Sequence, residues 1–161
     1  MSSPVQSRQG GARVSFPPPF IFLGFLLVGV FLQRNVVPIH VPLASPIRVA
    51  AGASFVLAAI ALFASALRLF RATGQHPRPW LPSPSLILEG PYRWSRNPIY
   101  VAMTLMQIGL GLLFDDVWIV GLSAVSLAVV HLIAVRPEEA YLLDRFGEPY
   151  RRYMASVRRY L

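Results

Sequence analysis

The sequence predicts an all-α integral membrane protein with about four transmembrane helices and a C-terminal tail of interfacial helices. Three observations lead there. Of the 161 residues, 55% are hydrophobic and only 14% charged, which is too apolar for an ordinary soluble domain. Four apolar runs, each bounded by charge or proline, approach the roughly 20 residues that a helix needs to cross a hydrocarbon core. The arginines are also shared very unevenly among the connecting segments, as in proteins whose short loops are sorted by charge across a bilayer.

The first span is expected near residues 17–33, within the apolar run from Val14 to Leu32. Pro17, Pro18 and Pro19 open it, so the helix starts near Pro19 and is short. A cleaved signal peptide is the competing account of this run, but no clear small-x-small site follows it closely. The second span, near 48–68, is uncharged from Val49 to Leu67 and rich in alanine, with Gly52, Ser54 and Ser65. Residues that small let membrane helices approach closely. The third, near 98–114, and the fourth, near 117–136, are separated only by Asp115 and Asp116, which reads as a tight helical hairpin. Gly109 and Gly111 in the third are best explained as packing contacts.

The tail, residues 137–161, is not a fifth span, because charges recur throughout it. Leu142, Leu143, Phe146, Tyr150, Tyr153, Val157 and Tyr160 recur at helical spacing, while Gly147 and Pro149 divide the segment into two short helices. One face of this tail suits the bilayer surface, and the tail is placed to close a site. The whole chain, 1–161, then forms a single membrane domain.

Charge excludes some functions and orients the chain. The net charge is +8 and every basic residue is arginine, a balance that suits nucleic acid only if the apolar runs are ignored. Contact with anionic membrane lipids explains it better, and no nucleic-acid partner is expected. The absence of cysteine removes disulfides, thiolate metal ligands and a cysteine nucleophile, and no metal site is expected. Arg8 and Arg13 precede the first span, five arginines lie between the second and third, and those from Arg136 onward follow the fourth; only Arg34 and Arg48 fall on the opposite side. Both termini and the loop 76–97 are therefore expected in the cytoplasm. That loop holds Pro77, Pro79, Pro82 and Pro84, so it is extended and able to line a site.

The candidate chemistry begins where this loop ends, in Leu86-Ile87-Leu88-Glu89-Gly90-Pro91-Tyr92-Arg93-Trp94-Ser95-Arg96-Asn97-Pro98-Ile99-Tyr100. A second group follows the fourth span: Glu138-Glu139, then Phe146-Gly147, Tyr150 and Tyr153. Together, in this order and spacing, they resemble the signature of the isoprenylcysteine carboxyl methyltransferase and phospholipid methyltransferase family. The likeness covers about Leu86 to Tyr160. It departs at Asn97, where several relatives carry histidine, at Ala102, where glycine is frequent, and at Arg158, where proline is frequent.

The resemblance implies methyl transfer from S-adenosyl-L-methionine to a lipid-like or amphiphilic acceptor at the membrane. It implies that Leu86, Ile87, Tyr92, Asn97, Pro98, Ile99 and Tyr100 surround the cofactor, that Glu138 and the adjoining Glu139 approach from the other side, and that Arg96 and Arg136 face substrate as the catalytic pair. The residue types suit that chemistry. A carboxylate can hold the cofactor's amino group or ribose hydroxyls, tyrosines offer an apolar face with a polar tip, and arginine grips carboxylate or phosphate.

Plainer explanations exist for each part. Asn97-Pro98 is a good helix start, with an asparagine cap and proline in the first turn. Arg93 and Arg96 suit a headgroup anchor. Pro137-Glu138-Glu139 suits the start of a new helix, with its acids near the positive dipole end. His131 lies inside the fourth span, where an ionisable residue is a functional candidate, and it would share a face with Glu138 if Pro137 did not bend the helix. A carboxylate or other nucleophile as acceptor leads, with phospholipid amine N-methylation and an NADPH-dependent membrane reductase as alternatives. A homodimer is compatible with this size, although the residue pattern assigns no interface.

Overall fold

A computed structural model describes residues 11, 12, 14, 16–76, 78 and 80–161. Arg8 and Arg13, used above for orientation, and Pro77 and Pro79 of the loop lie outside the described residues. The described chain is all-α: α1 (Pro18–Asn35), α2 (Ser45–Ala72), a short 3₁₀ turn (Gly90–Arg93), α3 (Pro98–Leu113), α4 (Val117–Val130), a π turn (His131–Val135), α5 (Arg136–Phe146) and α6 (Glu148–Ser156).

Three helical rods are long and apolar enough to cross a membrane: Pro18–Asn35, Ser45–Ala72 and the continuous Val117–Phe146. The chain is an all-α membrane protein. At 1.5 Å per residue these rods run about 27, 42 and 45 Å, against about 24 Å for α3. α3 is thus the short member of the bundle, packed between α2 on one side and α4 on the other, while α1 packs chiefly on α4.

The expected boundaries differ from the observed ones most at the fourth span, where the rod continues past residue 136 to Phe146. Pro137 has no N–H to donate and would ordinarily bend or end a helix. Here the turn just before it widens, and the Arg136 N–H reaches back to the His131 carbonyl, a π-type bond that absorbs the missing donor. The extra residue in that turn rotates α5 relative to α4, so His131 and Glu138 serve different partners: Tyr160 for the former and Tyr100 for the latter.

The connections fix which helix ends lie together. At one end, the Asp115 carboxylate accepts the Val41 N–H at 2.9 Å, meets His40 Nδ1 at 2.9 Å and lies 3.4 Å from Arg48 Nε. Arg48 also donates to the Leu112 and Leu113 carbonyls, and Trp118 Nε1 donates to the Val37 carbonyl at 2.8 Å. Asp115 adopts φ 58° and Asp116 caps α4 by accepting the Ile119 N–H at 3.0 Å, as the two-aspartate turn suggested. The Val41 N–H first, then His40 and Arg48, hold the Asp115 carboxyl below its ordinary range. The end of α1, the start of α2, the end of α3 and the start of α4 therefore share one face, and the helices alternate in direction.

Close packing brings α2 and α3 together at glycine. A Cβ on Gly109 would lie 2.8 Å from Val56 Cγ2 and 2.9 Å from the Gly52 carbonyl, so Gly109 is a packing contact, and only a residue without a side chain permits this approach. At the opposite end of the bundle, Phe22, Tyr100, Val130, Ala134 and Val135 form a buried apolar cluster that supports the polar residues above it.

Candidate functional site

Above that cluster is a cavity of about 270 Å³, walled by Tyr92, Arg96, Asn97, Ile99, Tyr100 and Glu138, together with Pro17, Pro18, Pro19, Phe63, Arg78, Trp80 and Met103. It opens toward an apolar cavity of about 320 Å³ between α1, α2 and α3, with which it shares Pro19, Phe63 and Met103.

Local structure explains how these side chains meet. Pro98 occupies the first turn of α3 and Asn97 its N-cap position, which sets Ile99 and Tyr100 one turn into the helix, facing the cavity. The Asn97 side chain does not cap the helix; its Nδ2 donates to the Arg159 carbonyl at 3.0 Å. Tyr100 donates its hydroxyl to Glu138 Oε2 at 3.2 Å, closing the cavity across 38 residues of sequence. On the loop side the Tyr92 ring packs edge-on against Phe70. Burial first, and the Glu138 charge second, push the Tyr92 hydroxyl above its ordinary range, so it stays protonated and able to donate.

The tail forms the outer wall. Gly147, with φ 58°, breaks α5 from α6, where a glycine tolerates the turn that other residues resist. α6 then turns Tyr150 and Tyr153, 2% and 9% exposed, toward the protein and not toward lipid. Tyr153 donates to the Tyr92 carbonyl at 2.7 Å, and burial lifts its hydroxyl to about 12 against the opposing pull of Arg96. Beyond α6, the Arg158 carbonyl accepts the Arg96 N–H at 2.9 Å. The Arg159 carbonyl accepts from Asn97 and, at 3.3 Å, from Ser95 Oγ, and the Tyr160 hydroxyl meets His131 Nδ1 at 2.8 Å.

Glu139 faces away from the cavity wall formed by Glu138. Its buried carboxylate receives Arg159 Nε at 3.1 Å and Nη2 at 2.9 Å, and lies 3.3 Å from Arg96 Nη2. The Arg159 guanidinium is held above its ordinary range chiefly by that hydrogen bond. Of the other residues singled out from sequence, Arg136 is exposed, Pro98 is buried at the helix start, and Leu86 and Ile87 are half-buried; none of the four lines the cavity. The Leu86-Ile87 stretch follows Ser85, which is tied to Gln75 Nε2 at 2.9 Å beyond the end of α2. The three prolines, Phe63 and Met103 carry no motif, and only the helix packing brings them in; Arg78 and Trp80 come from the loop expected to line a site. Among the described residues no cluster of histidine, aspartate and glutamate could hold a metal ion.

An all-α membrane bundle with an arginine-bearing, largely apolar cavity at one end of its helices defines a membrane-embedded protein with a candidate site in that cavity. A family model described as phospholipid methyltransferase matches residues 47–149, and the chain belongs to that family. It is also similar to the cobalt-zinc-cadmium resistance protein CzcN of Cupriavidus metallidurans, with 30% identity over 64 residues, covering 40% of this chain and 30% of that protein. The chain thus spans under a third of the curated relative it matches.

Proposed function

We propose that the protein transfers the methyl group of S-adenosyl-L-methionine to a carboxylate or other nucleophile of a lipid-like acceptor, with the site on the cytoplasmic side of the membrane. The observation that supports this most is the meeting of Tyr100 and Glu138 in one cavity with Arg96. The donor set fits the cofactor: a carboxylate for its cationic or hydroxyl groups, a buried guanidinium for an anionic one, and Phe63, Ile99 and Met103 as an apolar wall. When bound, the cofactor supplies a methyl carbon activated by a sulfonium, which leaves as a neutral thioether.

The protein's own part is positioning and water exclusion. Tyr100 holds Glu138 by its hydroxyl, and the tail residues that bond Ser95, Arg96 and Asn97 hold the loop in place. The neighbouring apolar cavity between α1 and α2, floored by α3, suits the chain of a lipid-like acceptor. The distribution of charge supports this sidedness. Arg78, Arg93, Arg96 and the tail arginines lie at the cavity end, while Arg34 and Arg48 lie at the other, and positive ends are retained in the cytoplasm.

The test is calorimetric titration of detergent-purified protein with S-adenosylhomocysteine, beside reduced nicotinamide adenine dinucleotide phosphate. Saturable binding of the first alone is expected; binding of the nicotinamide alone refutes the reading in favour of a reductase. Glu138→Gln is expected to weaken S-adenosylhomocysteine about 10-fold or more, the loss of a charge-assisted hydrogen bond. Unchanged affinity removes Glu138 from cofactor binding.

A further inference from the structure

A separate cavity of about 250 Å³ lies at the other end of the bundle, lined by Val30, Gln33, Arg34, Phe114 and Asp116. Phe114 follows Tyr100 by 14 residues along α3, so about 21 Å separates this cavity from the Tyr100–Glu138 pair. Asp116 is only 3% exposed, yet half of its carboxylate is idle. Oδ1 accepts the Ile119 N–H at the start of α4. Oδ2 takes no hydrogen bond among the described residues and still keeps accessible surface, so it is open to the cavity that Asp116 lines. A carboxylate this deep gains from a donor that brings a positive charge.

Arg34, on the same cavity, is exposed. It forms no ion pair among the described residues, and none of its nitrogens lies within 4.0 Å of Asp116 oxygen. The neighbouring charges settle one another: Asp115 lies 3.4 Å from Arg48 and 2.9 Å from His40. One negative and one positive group are therefore left in one cavity, apart from each other. A simple ion would meet its like charge there as well as its opposite, whereas a net-neutral molecule with a cation at one end and an anion at the other meets both favourably. Gln33 adds to the anionic side. Its Oε1 accepts the Ile39 N–H at 2.9 Å, while its Nε2 reaches the Asp115 carbonyl only at 3.5 Å, so that amide has hydrogens to spare. On α1, Leu27, Phe31 and Arg34 follow one another at helical spacing and share a face, with Leu27 and Phe31 exposed. An apolar stripe that ends in a guanidinium at the end of a membrane-spanning rod suits acyl chains below a phosphate.

We propose that this cavity holds the headgroup of a phospholipid bearing a primary ammonium, which donates to Asp116 Oδ2 while the phosphate rests on Arg34 and the chains follow Leu27 and Phe31. A quaternary ammonium has no N–H to give and cannot make the Asp116 bond, so the site distinguishes the two headgroups. It lies apart from the cavity assigned to methyl transfer and does not rest on that reading.

The experiment titrates the protein, purified in a non-ionic detergent, with dihexanoyl-phosphatidylethanolamine, dihexanoyl-phosphatidylcholine and the chain-free glycerophosphoethanolamine, by calorimetry. Wild-type protein is expected to bind the ethanolamine lipid about 10-fold more tightly than the choline lipid, the worth of one charge-assisted hydrogen bond. Asp116→Asn keeps an oxygen to cap α4 and should abolish that preference, Arg34→Gln should weaken both lipids, and Glu138→Gln should leave the preference intact. Glycerophosphoethanolamine that binds as tightly as the lipid gives the cavity to a soluble zwitterion and overturns the lipid assignment. A wild-type protein without the preference overturns the proposal, as does a preference that survives Asp116→Asn. A preference lost in Glu138→Gln instead puts the ethanolamine lipid in the other cavity and equally overturns it. Should Asp116→Asn fail to fold, Arg34→Gln, at an exposed position, decides: unchanged affinity for both lipids sinks the proposal. Binding of S-adenosylhomocysteine, measured separately, bears only on the methyltransferase reading.

Discussion

Replacing Gly109 with alanine tests whether the α2–α3 contact is as tight as the geometry implies. The added Cβ would meet Val56 Cγ2 at 2.8 Å, the Gly52 carbonyl at 2.9 Å and the Val56 backbone nitrogen at 3.0 Å. Carbon contacts settle at about 3.5–4.0 Å, so the helices must part by roughly 0.5–1 Å. Two of the three obstacles are backbone atoms, which no rotamer change can move. Overpacking of this kind costs about 1–3 kcal/mol, and alanine returns roughly 1 kcal/mol of helix propensity. Gly121→Ala is the control, because nothing lies within 4 Å of a Cβ there and only the propensity gain remains. The two variants should differ by about 1–3 kcal/mol. At roughly 2–4 °C per kcal/mol for a chain of this size, Gly109→Ala should melt about 2–12 °C below Gly121→Ala in thermal unfolding followed by circular dichroism in detergent. If both variants raise Tm alike, the close approach of the two helices is not a constraint on stability and the argument from Gly109 is wrong.

Other perturbations probe the two ends of the bundle. Asp115 has a depressed carboxyl, so its contribution to stability is complete above the ordinary aspartate value of about 3.9 and is lost as pH falls through the lower folded value. Wild-type Tm should therefore drop more steeply below about pH 4 than that of Asp115→Asn, and identical acid slopes would rule Asp115 out as their source. Tyr160→Phe removes the hydroxyl that meets His131 and should lower Tm by about 2–4 °C, the worth of one hydrogen bond of about 1 kcal/mol; an unchanged Tm means that the contact does not hold the tail. Gln107→Leu deletes the Ser126 Oγ to Gln107 Oε1 bond between α3 and α4 at 2.9 Å. Because the single Ser126 hydroxyl hydrogen can turn to the Leu122 carbonyl at 2.9 Å instead, and the Gln107 Nε2 contact to the Ile119 carbonyl is long at 3.5 Å, the expected loss is only about 1 kcal/mol, and denaturation showing several times that value would refute this weak coupling.

Much of the helical layout was legible from composition, because apolar runs in lipid have few alternatives to helix. Asp115-Asp116 announced the hairpin, and Gly147 with Pro149 announced the division of the tail. Of the candidate residues read from the motifs, Tyr92, Arg96, Asn97, Ile99, Tyr100 and Glu138, drawn from two separate stretches of sequence, come to line one cavity. Less legible were features created by tertiary structure. Pro137 argues locally for a break, yet a π turn five residues long carries the helix through it. Asn97 reads as a helix cap, yet the Arg159 carbonyl claims its side chain. The periodic tyrosines of the tail suggest a lipid-facing stripe, but that pattern records only that one face is buried, and the structure buries Tyr150 and Tyr153 against protein. Phe63 and Met103 belong to uniformly apolar helices, in which no position is marked as special before the helices pack.

The contacts made by residues 158 and 159 also set an order in time. Asn97 and Arg159 are 62 residues apart, and synthesis proceeds at about 5–20 residues per second. The loop that carries Arg96 and Asn97 therefore leaves the ribosome roughly 3–12 seconds before its partner exists. Throughout that interval its polar groups need water, so the loop has to wait at the membrane surface while α3 and α4 insert. Assembly of the site is consequently a late event, completed when the tail docks on a bundle whose helices are already in place.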